Sequence, residues 1–161
     1  MNSLIILSMQ CMFSMLIFYL IVKWYVIPEI NKETKFEILA FLLLINVFRY
    51  LPLSLFMPGQ VAEDFPFYLK ESIAYGDFLS GFLALIALLL LKSKKKSAVK
   101  FTWLFSIVSI LDICIVMTLA MIEKVYLLPL GANYFTVSVY VPMLIVIQIV
   151  ILRILTVKSF Q

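Results

Sequence analysis

Five stretches of this chain run for about twenty residues or more with almost no charge, and that feature excludes most folds. A bilayer core about 30 Å thick is crossed by a helix of that length. The runs are too long for barrel strands and do not alternate as those do. Composition agrees: 65% of the 161 residues are apolar, against about 45–50% in a soluble domain. A chain this small has too little interior to hide the excess. Lipid is therefore the expected solvent for much of it.

Length and charge place the spans at about 3–27, 36–57, 72–91, 99–122 and 134–157. Pro28 and Glu29 end the first, and Pro58-Gly59 closes the second. A cleaved signal peptide has a positive start and a shorter apolar run, so the first stretch reads as a retained helix. The joining segments are short, and no internal repeat is visible. The expected fold is one all-α integral membrane domain over residues 1–161, a polytopic helical bundle with five transmembrane helices. The expected location is the cell membrane.

Lysine and arginine set the orientation. With the N-terminus outside, the inner flanks hold Lys23, Lys32, Lys35, Lys92, Lys94, Lys95, Lys96, Lys100, Arg153 and Lys158, and the outer flanks only Lys70 and Lys124. The sequence thus predicts N-terminus out and C-terminus in. The run from Lys92 to Lys100 is an orientation signal, with contact to anionic headgroups as the alternative. It is not a nucleic-acid stripe, which sits on a polar fold. The bilayer is the expected partner, and nucleic acid is not.

Three charges lie inside the spans away from their ends: Arg49, Asp77 and Asp112. Helix rise puts them about 12, 8 and 15 Å below the outer boundary, all in the outer half of the bilayer. One positive and two negative groups at similar depth invite pairing, because each alone costs at least a few kcal/mol there. Arg49 has the length to snorkel; Asp112 does not, and needs a partner, a water-filled cavity or a proton. Asn46, Arg49, Tyr50 and Leu53 follow an α-helical face, as do Ser109 with Asp112 and Tyr140 with Gln148. Tyr75 stands beside Asp77. Pro142 is positioned to kink the last helix. The composite is a polar pocket among helices two to five, lined by Asn46, Arg49, Tyr50, Tyr75, Asp77, Asp112, Tyr140 and Gln148.

Each feature also has a plainer reading. The Arg49–Asp77 or Arg49–Asp112 contact serves equally as a structural ion pair, and Asn46 as an interhelical hydrogen bond. Trp24, Tyr25 and Trp103 fit an inner aromatic belt. Ala74, Gly76, Ser80 and Gly81 suit close helix packing. Cys11 and Cys114 read as small core residues. The segment Phe65 to Leu69 reads as an interfacial anchor or a lid over the pocket. With no histidine and two cysteines, neither a His-ligated metal nor His-dependent acid–base chemistry is available. No cofactor fingerprint or metal-ligand spacing stands out, so no cofactor and no metal are expected.

The stretches Asn46-Val47-Phe48-Arg49-Tyr50-Leu51, Phe56-Met57-Pro58-Gly59 and Ala74-Tyr75-Gly76-Asp77 resemble an uncharacterised family of small multi-pass bacterial membrane proteins. The resemblance implies that Arg49 and Asp77 are linked, and it supplies no activity. The polar residue three before the arginine is often His in that family and is Asn46 here, which takes away an inference about protons or metals. Three function classes stay open. The first is binding of a lipid or other apolar small molecule in the pocket. The second is a structural or accessory subunit, in a homo-oligomer or with a membrane partner, whose cluster is only a buried ion pair. The third is an enzyme acting on a lipid or isoprenoid through Asp77, Asp112 and Arg49.

Overall fold

The computed structural model describes residues 2–31 and 34–156, and five of its helices are long and apolar enough to cross a membrane. They are α1 (Ser3–Glu29), α2 (Lys35–Phe56), α3 (Phe67–Lys92), α4 (Ala98–Ile122) and α5 (Asn133–Thr156). The protein is an all-α, polytopic bundle of the multi-pass membrane type. The third helix begins at Phe67 rather than Ser72. Lys32, Val157 and Lys158, which entered the sequence reading, lie outside the described residues.

Three of the five helices leave α geometry, each beside a proline. In α1 the π turn Val22–Val26 precedes Pro28, and in α5 the π turn Thr136–Tyr140 precedes Pro142. In α2 the α-helix stops at Val47, and a 3-10 helix with Pro52 inside it continues from Phe48 to Phe56. Proline lacks an N–H, and its ring crowds the carbonyl four residues back. Those carbonyls belong to Trp24, Phe48 and Ser138, each inside or at the start of the altered stretch. Widening or tightening the turn moves them aside. The expected kink at Pro142 is thus a π turn. The second span, expected at about 36–57, runs from Lys35 to Phe56, with 3-10 rather than α geometry from Phe48 on.

Helix α3 packs against both α2 and α4. Its buried Ala74, Ser80, Gly81, Ala84 and Ala87 form a small-residue stripe, which lets helix backbones approach closely. A Cβ on Gly81 would stand 3.1 Å from the Val47 carbonyl oxygen and 3.4 Å from Arg49 Cβ. The main core joins Leu39, Leu42 and Leu43 of α2, Phe105 of α4, and Ile147, Val150 and Ile151 of α5. A smaller core of Phe65, Leu69, Val125 and Leu130 ties together the α2–α3 and α4–α5 connections. There the Ala62 amide donates to the Pro129 carbonyl at 3.1 Å. Phe65 and Leu69 are therefore core residues, while Phe67 and Tyr68 between them are exposed, so the segment is pinned into the bundle at two positions rather than lying flat.

Helix α1 lies against α5 and its π turn. Leu4, Leu7, Cys11, Ser14 and Phe18 form its half-buried stripe. Trp24 and Tyr25 are exposed, as an aromatic belt requires. Cys114 is exposed rather than in the core. It lies two residues past Asp112, about 200° further round α4.

Candidate functional site

Arg49 lies in the 3-10 portion of α2 and is 1% exposed. A 3-10 helix repeats every three residues, so Arg49, Pro52 and Leu55 share one stripe, and all three are buried. Tyr50 is turned about 120° from Arg49 and is exposed. The α-helical face predicted for Arg49 with Tyr50 therefore does not form.

The guanidinium is divided among three partners on two helices. Nε donates to Asp77 Oδ1 of α3 at 2.7 Å, and Nη2 donates to Asp112 Oδ2 of α4 at 2.5 Å. Nη1 donates to the Ser109 hydroxyl, one turn from Asp112 on the same face. The sequence predicted a pair with one aspartate or the other; the arginine engages both. Gly76 makes the contact with α4 possible, because a Cβ there would overlap Asp112 Oδ1 and stand 3.0 Å from its Cγ.

All three charges sit at one depth. Arg49 is seven 3-10 residues from Phe56, Asp77 ten α-helical residues from Phe67, and Asp112 ten from Ile122. At about 2.0 and 1.5 Å per residue these are about 14, 15 and 15 Å from the same end of the bundle. That is about half of a 30 Å core. The earlier start of α3 and the stretched end of α2 move Asp77 and Arg49 deeper than a uniform helix count gives.

The other predicted residues scatter. Asn46 is buried, and its Nδ2 donates to the Leu42 carbonyl at 2.9 Å within its own helix. Tyr140 donates to the Ile45 carbonyl at 3.3 Å. Gln148 is buried with both amide atoms unpartnered. Tyr75 is exposed and lies against Phe56, ring centroids 5.5 Å apart.

The cluster forms one wall of a cleft of about 380 Å³ lined also by α1, α4 and α5. Leu7 and Met15 line it from α1, Met117 and Ala120 from α4, and Val141 and Ile145 from α5. Asn133 lines it too, with Oδ1 accepting from Ser54 at 3.1 Å and Nδ2 unpartnered. Among the described residues, Arg49, Asp77 and Asp112 are the only charged ones in the lining, with a formal balance of one guanidinium against two carboxylates. The polar pocket expected among helices two to five is thus largely an apolar cleft with a charged patch. Asn46, Tyr50, Tyr75, Tyr140 and Gln148 are not in its lining.

Helix α1 as a wall, Pro52 and Asn133 were missed by reading charges and polar faces alone. The α1 stripe was findable: Leu4, Leu7, Cys11, Ser14 and Phe18 recur at helical spacing.

No curated protein and no solved structure matches the chain. Residues 6–156 match one family along nearly their whole run, and the chain belongs to that family, described as "Domain of unknown function (DUF8737)".

Proposed function

We propose that the Arg49 cluster is first of all a structural lock, and that the chain serves as a structural or accessory membrane subunit. The observation that carries this is the division of one buried guanidinium between Asp77, Ser109 and Asp112. Such a cation cannot leave its partners without exposing charge to hydrocarbon, so it fixes the register of three helices. The test is Asp112→Asn, with stability followed by unfolding in mixed micelles. A lock predicts clear destabilisation and loss of the defined helix packing. An unchanged unfolding curve contradicts it. The lysine bias supports the orientation with the N-terminus outside, and the single run of packed helices supports one domain. The resemblance supports a bacterial inner membrane.

A second reading is favoured by the cleft. At about 380 Å³ it falls within the usual size range of small-molecule sites, about 300–1,000 Å³. In this reading the cleft holds a lipid or other apolar small molecule, with Arg49, Asp77 and Asp112 at its polar end. Equilibrium binding of apolar probes to the full chain in nanodiscs tests it. Saturable binding that Ala120→Trp removes supports it, and purely non-saturable partition opposes it.

A further inference from the structure

We propose that the cleft selects lipophilic organic cations: Asp77 and Asp112 hold the cationic centre, and the methionine-lined walls hold the apolar body. The proposal rests on the small-molecule reading of the cleft and names its ligand class.

Charge complementarity carries it. Arg49 already donates from Nε, Nη1 and Nη2 and is 1% exposed. Three of its five N–H groups are thus engaged, and its burial leaves little of the guanidinium for an anion to reach. The carboxylates keep 14% and 10% of their side chains exposed, and both line the cleft. Their second oxygens, Asp77 Oδ2 and Asp112 Oδ1, take no hydrogen bond among the described residues. Two carboxylates against one guanidinium give the cluster a formal excess of one negative charge in a low-dielectric setting, where a counter-charge is worth far more than in water. An anionic head would meet repulsion, and a neutral apolar molecule would leave that charge unmatched.

The walls set the rest of the ligand. Met12, Met15, Met117 and Met121 line the cleft, and methionine adapts to varied apolar shapes. Asn133 is 6% exposed and lines the same cleft with an unpartnered amide nitrogen, a donor for a hydroxyl, ether or carbonyl on the ligand. Along α1 the lining runs from Leu4 to Met15, about 16 Å of helix, which suits a bulky or elongated body.

The experiment measures binding of three probes of nearly one shape to the full chain in nanodiscs of uncharged lipid. They are tetraphenylphosphonium, tetraphenylborate and neutral tetraphenylsilane. The expected order is cation first by about tenfold or more, with the anion weakest. Asp77→Asn, which leaves Arg49 paired with Asp112, is expected to lower the affinity for the cation more than that for the neutral probe, so that the cation's advantage is lost. Ala120→Trp is expected to remove saturable binding of all three. If Asp77→Asn does not fold, the order of the three probes on the unaltered chain decides. Equal binding of cation and neutral probe overturns the proposal while leaving the small-molecule reading intact. No saturable binding of any probe overturns both.

Discussion

Helices α1 and α3 are both long and apolar, yet they live in different surroundings. The most apolar window of α1 is 6% buried, against 33% for α3 and 44% for α2 and α5. The difference is not hydrophobicity, because lipid tails are as apolar as leucine and give helices no reason to associate. Helix α3 carries Ala74, Gly76, Ser80, Gly81, Ala84 and Ala87 along its contacts, together with Asp77. Helix α1 has neither glycine nor alanine, and no charge before Lys23. Small residues let backbones approach, and the Arg49 cluster makes the approach specific. Without either device α1 stands off α4, and the cleft is the space that remains.

The comparison is broken most severely at Arg49. Arg49→Leu leaves two carboxylates without their cation and is expected to cost about 3–5 kcal/mol, read from unfolding in mixed micelles. Leu39→Ala in the buried core is expected to cost about 2–5 kcal/mol in the same assay. Gly76→Ala forces the Asp112 carboxylate aside, and a cost of about 1–3 kcal/mol is expected. Leu16→Ala on the exposed face of α1 is expected to stay within about 0.5 kcal/mol. If Leu16→Ala costs as much as Leu39→Ala, the division into a packed unit and a peripheral helix is wrong.

Much of this was legible in the sequence, for identifiable reasons. Helix α4 was placed within one residue because its run is uniform and both its ends are charged or polar. Arg49, Asp77 and Asp112 were recognisable as linked because intramembrane charges need partners. The depth of Asp112 was legible too, but those of Arg49 and Asp77 were not. A uniform 1.5 Å rise cannot anticipate the 3-10 stretch around Pro52 or the start of α3 at Phe67. Tyr50 was assigned to the arginine's face for the same reason, since one change of helix type rotates every later side chain. Asn46 and Gln148 were read as pocket residues because they are polar. Their burial elsewhere shows that polarity marks an interior position without naming which one. The cleft was hardest to foresee, because it depends on how closely α1 approaches α4, and no single residue encodes that distance.

The central claim is that Arg49, Asp77 and Asp112 hold the bundle together as one interlocked unit. The most direct measurement compares the unfolding free energy of Arg49→Leu with that of the triple variant Arg49→Leu/Asp77→Asn/Asp112→Asn in the same micelles. An interlocked unit predicts that removing the two carboxylates as well recovers most of the stability lost with the arginine alone. A triple variant as unstable as the single one, or a single variant as stable as the unaltered chain, would contradict it.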